Sequence, residues 1–128
     1  MIPSFADRVP EVLANLQHPG IDRGRVYAVG YSNGGFMAHR LGCERPDLLR
    51  GIVSFAGAGP LEAPSCRPPQ ALRVLQVHGD ADTIVTYAGG HLFKNPRLPR
   101  HASAQQTSAD WAVRLGCGVG PQKALALD

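Results

Sequence analysis

The sequence predicts an α/β layered fold, a parallel sheet flanked by helices. Three observations predict it. Short apolar runs rich in β-branched residues at 25–29, 52–56 and 73–78 read as buried strands. Helical patterns alternate with them, as parallel strands require. Charged residues make up only 18% of the chain, which suits a sheet covered on both faces.

The elements follow in order. Ser4 is placed to cap a first helix over 4–17, with Val9, Val12, Leu13 and Leu16 on one face. Pro10 falls in its early turns, and His18-Pro19-Gly20 ends it. The turn Asp22-Arg23-Gly24 leads into the strand at 25–29. A second helix runs from about Phe36 to Glu44 and stops before Pro46. The strand at 52–56 precedes a Gly/Pro-rich loop over 57–70. After the strand at 73–78, a loop carries the chain through Pro99. A third helix is predicted over 102–115, offering Ala109, Trp111, Ala112 and Val113 for packing. Trp111 reads as a packing residue. Gly116-Cys117-Gly118 ends this helix, and 122–128 show no pattern.

At 128 residues and 13.6 kDa the chain is long enough for one domain with a real core, spanning 1–128. The net charge of +3 comes from scattered basic residues without interleaved aromatics, so no nucleic-acid partner is expected. The basic stretch from Lys94 to His101 is broken by Pro96 and Pro99 and reads as a loop. No run is apolar and long enough for a membrane span, and the first residues do not resemble a signal peptide. Cys43, Cys66 and Cys117 match no zinc spacing, so neither metal nor cofactor is expected. Free thiols and a disulfide set lacking one partner both fit an odd count.

The run Gly30-Tyr31-Ser32-Asn33-Gly34-Gly35 lies directly after a strand and directly before a helix. This is the setting of the G-x-S-x-G nucleophile elbow, in which a sharp turn exposes a serine hydroxyl. Glycines flank such a serine because a Cβ there would meet the neighbouring strand or helix. A serine that merely caps the next helix is the plainer alternative. Ser32 is therefore a candidate nucleophile. The N–H of Asn33, at the helix N-terminus, is a candidate oxyanion donor.

Downstream, the strand at 73–78 runs into Gly79-Asp80-Ala81-Asp82-Thr83. An acid after a later strand matches the chain order serine, acid, histidine. One helix and one strand intervene, enough to return the chain to the same sheet edge. Spacing alone does not choose between Asp80 and Asp82, and either also fits a solvated turn.

Taken together these stretches resemble the polyhydroxybutyrate depolymerase-like esterases, a branch of the α/β-hydrolases that includes feruloyl and acetylxylan esterases. The resemblance rests on Ile21-Asp22, Arg25-Val26-Tyr27, Gly30 through Ala38, and Cys43-Glu44-Arg45-Pro46-Asp47. It continues through Val77-His78-Gly79, Asp82, Val85, Tyr87-Ala88-Gly89-Gly90, Trp111-Ala112 and Gly116-Cys117. It covers about residues 21–118. It implies a partial α/β-hydrolase fold, with Ser32 as nucleophile and Asp82 as the acid that orients a histidine. It implies a small-molecule or polymeric ester as substrate, an extracellular protein, and disulfides with Cys117 as a half-cystine. The oligomeric state is not readable.

The sequence departs from that pattern at both ends. No His-Gly strand that would supply a second oxyanion donor precedes the first helix, and no histidine follows His101. The chain reads as the middle and late part of a hydrolase, cut at both ends. His91 and His101 follow Asp82 but precede the last helix, where the family's base does not lie. His78 reads as structural, and His39 lies on the second helix. The expectation is an esterase by its residues and a poor catalyst as an isolated chain. The other readings are a prolyl-oligopeptidase-like serine peptidase, disfavoured by Tyr87-Ala88-Gly89-Gly90, and a vestigial non-catalytic module.

Overall fold

The computed structural model describes residues 5–16, 20–61, 66 and 71–118. Three parallel strands, β1 (Tyr27–Tyr31), β2 (Gly51–Phe55) and β3 (Arg73–Val77), form a sheet in the order β1-β2-β3. Their register aligns Tyr31 with Phe55 and Phe55 with Val77, so all three strands end at one edge. Whatever follows each strand is delivered to that edge. This is the predicted fold class.

Helix α2 (Asn33–Glu44) makes the crossover from β1 to β2 and covers one face of the sheet. Helix α3 (Ala104–Arg114) packs beside it, and Trp111 joins Ala38, Leu41, Leu49, Ile52 and Leu72 in one core. The residues of the sheet that face the helices are paired in register: Ala28, Ile52 and Val74, then Gly30, Ser54 and Gln76. The opposite face differs from expectation. Val29 is 66% exposed, Tyr31 76% and Leu75 55%, so among the described residues nothing covers this side.

Boundaries shift for local reasons. Strand β2 stops at Phe55 because Ala56 turns to φ 56°, outside the β region. Helix α1 (Phe5–Asn15) continues through Pro10, and Val9 packs on the core, but Val12 and Leu16 stay exposed. Its buried stripe is therefore narrower than the apolar pattern. In α3 the buried face is Ala104, Thr107 and Trp111, spaced by three and four, whereas Ala109 and Val113 face solvent. Ser103 caps this helix by accepting from the Gln106 N–H. Gly116, at φ 65°, ends it: the Gly116 N–H donates to the Val113 carbonyl and the Cys117 N–H to the Ala112 carbonyl. This is a Schellman motif, which only a residue tolerating positive φ closes cheaply.

The stretch read as a loop contains a two-residue hairpin, β4 (Gly90–His91) with β5 (Arg100–His101). Strands this short leave no alternating pattern to detect. The predicted Ser4 cap, the His18-Pro19 terminator and 122–128 lie outside the described residues. Among the described residues, no helix is long and apolar enough to cross a membrane.

Cys43 and Cys66 form a disulfide, tying the end of α2 to the connection after β2. Cys117 is exposed and has no disulfide partner among the described residues. The cross-linked cysteines are 23 residues apart, a loop whose closure is worth about 3 kcal/mol in the chain-entropy picture. Reduction, or the double replacement of Cys43 and Cys66 by serine, is expected to lower the denaturant-derived stability by about that amount.

Candidate active site

Strand β1 runs without a break into Ser32, and α2 begins at the next residue. So sharp a reversal needs an unusual backbone. Ser32 has φ 53° and ψ −112°, a conformation that costs a non-glycine residue about 1–3 kcal/mol. The surroundings enforce it. The Ser32 N–H donates to the Phe55 carbonyl at 2.7 Å, and its carbonyl accepts from the Phe36 N–H at 3.1 Å. The Ser32 side chain makes no capping bond, which removes the plainer reading of this serine as a helix cap. The N–H of Asn33 is among the first of α2 and lies outside the helical ladder.

The glycines divide the work differently from the motif's expectation. A Cβ on Gly30 would lie 1.9 Å from the Gly34 carbonyl oxygen, an impossible overlap with backbone. A Cβ on Gly34 itself meets nothing within 4 Å. The second closely packed position is Gly35, whose Cβ would come within 2.7 Å of Ser54 Oγ and 3.0 Å of Gly57. Gly57 presses back on the same turn, 2.4 Å from the Gly35 carbonyl carbon by the same measure. The turn thus rests on β1 below and on the loop after β2 beside it.

The two acids separate clearly. Asp80 is exposed and makes no side-chain bond to a described residue. Asp82 Oδ1 accepts from the Ile84 N–H at 2.9 Å and the Val85 N–H at 3.0 Å. Its other oxygen, Oδ2, lies 3.6 Å from His78 Nε2. The His78 side chain is 2% exposed, and its Nε2–H donates to the Val85 carbonyl. His78 therefore organises the acid's loop, in keeping with its structural reading. Spacing could not show this, because the distinction lies in which backbone N–H groups each carboxylate meets.

A buried polar chain escaped the sequence reading. The Trp111 indole N–H donates to His39 Nδ1 at 3.0 Å, and His39 Nε2 meets Gln76 Oε1 at 2.7 Å. Gln76 Nε2 donates to the Gly57 carbonyl at 2.7 Å and to His78 Nδ1 at 3.2 Å. One signal was present: Gln76 is a polar residue in an apolar strand, at a helix-facing position. Its partners come from elements far apart in the chain and left none.

Burial pushes the His39 pKa below its ordinary 6.5; the Gln76 bond opposes this, and the positive charge of Arg114 adds to it. The sign follows. Below pH 6.5 the unfolded chain binds a proton that folded His39 resists, so stability is full above that pH and declines as pH falls. The slope is at most about 1.4 kcal/mol per pH unit. Tm measured from pH 7.5 to 5.5 should fall, and His39→Gln should flatten this component.

A family model described as phospholipase/carboxylesterase matches residues 1–107. The chain belongs to that family. Two curated relatives are esterases by name. "Putative esterase NocK" of Nocardia uniformis subsp. tsuyamanensis is 42% identical over 69 residues, 54% of this chain and 20% of the relative. "Feruloyl esterase B" of Piromyces equi is 27% identical over 107 residues, 80% of this chain and 20% of the relative. The chain thus spans about a fifth of the length of each. No solved structure matches it significantly.

In this phospholipase/carboxylesterase-family chain the sheet and helices are those of an α/β-hydrolase. A groove of about 410 Å³ runs along α2 from Phe36 to Glu44, closed on its other side by Leu61, Arg100 and His101; Ser32 does not line it. The four described histidines are each engaged elsewhere than at Ser32. His39 and His78 belong to the polar chain, His91 Nδ1 donates to the Leu98 carbonyl, and His101 Nδ1 to the Ala102 carbonyl.

Proposed function

We propose that this chain carries the nucleophile and the acid of a serine carboxylic-ester hydrolase of the polyhydroxybutyrate depolymerase type. The observation that carries the reading is Ser32, held at positive φ between β1 and α2 with no capping bond from its hydroxyl. A helix cap needs neither feature, whereas an exposed nucleophile needs both. Ser32 Oγ attacks the ester carbonyl and gives up its proton to a histidine oriented by Asp82, and the histidine returns that proton to the alcohol as it leaves the tetrahedral intermediate. The developing oxyanion takes a hydrogen bond from the Asn33 N–H, a donor of a kind worth about 3 kcal/mol of barrier. Water then releases the acid from the acyl-serine.

The histidine is the triad member that this reading assigns to no described residue. The subtype rests on the His78-Gly79…Asp82 and Tyr87-Ala88-Gly89-Gly90 runs and on the likeness to the feruloyl esterase, so the substrate is a small or polymeric ester. The Cys43–Cys66 disulfide supports an oxidising, extracellular setting. A second reading, a non-catalytic module, draws on the four engaged histidines.

Hydrolysis of p-nitrophenyl butyrate with added imidazole as the base distinguishes the two readings. A rate component that rises with imidazole and disappears in Ser32→Ala supports the esterase. Identical rates for the two proteins at every imidazole concentration support the inert module.

A further inference from the structure

The buried chain from Trp111 to Asp82 has a direction. An indole nitrogen only donates, so His39 Nδ1 is bare and His39 carries its proton on Nε2. That proton goes to Gln76 Oε1, which fixes the orientation of the Gln76 amide. The amide nitrogen must then point away, to the Gly57 carbonyl at 2.7 Å and His78 Nδ1 at 3.2 Å. His78 in turn is bare at Nδ1 and protonated at Nε2, where it faces the Val85 carbonyl and Asp82 Oδ2. The Val85 carbonyl, which can only accept, requires the same His78 tautomer from the other side of the ring.

The two groups that Gln76 Nε2 holds belong to different parts of the site. Gly57 packs against Gly35 in the turn that carries Ser32. His78 holds the loop that carries Asp82. The amide lies in β3, one residue before the strand ends, and joins the serine turn to the acid loop. We propose that Gln76 is a positioning residue, setting the placement of Asp82 relative to Ser32 by holding the Gly57 carbonyl and His78 Nδ1 on one amide nitrogen. The link to catalysis rests on the reading of Ser32 and Asp82 as nucleophile and acid, while the tautomer relay stands without it. A glutamate at this position has nearly the same shape but no donor for Gly57 or His78. A buried network with one donor removed leaves its acceptors unpaired, and the loop it held opens more readily.

The test is nuclear magnetic resonance on the 128-residue chain with nitrogen-15-labelled histidine. In the wild type, both His39 and His78 should show a bare Nδ1 and a protonated Nε2. A protonated Nδ1 on wild-type His78 overturns the relay without any variant. In Gln76→Glu, His78 should gain a proton at Nδ1. In Gln76→Met, the Ile84 and Val85 amides, which donate to Asp82, should exchange at least tenfold faster relative to β2 amides. Unchanged relative exchange in a folded variant overturns the positioning role. Where Ser32-dependent ester cleavage is measurable, Gln76→Glu should lower kcat at least tenfold and leave KM within about twofold. Absence of Ser32-dependent cleavage in added imidazole, with an intact tautomer pattern, counts against the esterase reading alone.

Discussion

Gly30→Ala should lose at least 4 kcal/mol of stability, on the order of half of what a small domain possesses. The cause is a single atom. The added Cβ would lie 1.9 Å from the Gly34 carbonyl oxygen and 2.7 Å from the Gly35 nitrogen. Both neighbours are backbone in the first turn of α2, so no rotamer change relieves the overlap. Either β1 parts from the helix or Ser32 leaves its turn. Gly34→Ala is the matched control. Its Cβ enters open space and its position is helical, so the expected change is neutral to about 1 kcal/mol stabilising. Urea unfolding of both variants, with equal m-values, measures the contrast. Near-equal stabilities would show that the turn does not have the close approach described for it.

Trp111→Ala should cost about 3–5 kcal/mol from lost packing and the cavity it leaves. Trp111 is 3% exposed and closes the core between α2 and α3. It is also the only described donor to His39 Nδ1, so the variant leaves that buried nitrogen unpaired. Trp111→Phe separates the two contributions. It retains most of the apolar volume and loses the donor, at an expected cost of about 1–3 kcal/mol. The same variant should weaken the preference for one His39 tautomer, which nitrogen-15 shifts report. A Trp111→Phe protein as stable as the wild type, with His39 unchanged, would remove Trp111 from the polar chain.

These effects explain what the sequence could and could not reveal. The three strands were legible because β-branched runs bounded by turn residues have few other uses. The turn at Ser32 was legible because it demands glycine at Gly30 and close packing at Gly35, and that geometry leaves a local mark. The roles of the glycines were only half legible: the motif marks Gly34, while the close approach falls on Gly35. Asp82 and Asp80 sit two residues apart in one loop and differ only in the N–H groups they meet, which composition does not encode. Trp111, His39 and Gln76 are separated by long stretches of chain, and no periodicity joins them. The hairpin β4–β5 was too short for pattern, and Cys117 falls where a Schellman motif requires only a residue after glycine. Among the described residues the second sheet face stays exposed, a feature that the low charged fraction did not signal.

On the proposed reading, the turn between β1 and α2 presents Ser32 as an acylatable nucleophile. The most direct measurement is tandem mass spectrometry of the chain after treatment with a fluorophosphonate in the presence of imidazole. The expected result is one adduct, on Ser32, absent in Ser32→Ala and retained in Gly34→Ala. An unmodified chain, or an adduct that lies elsewhere and persists in Ser32→Ala, would contradict it.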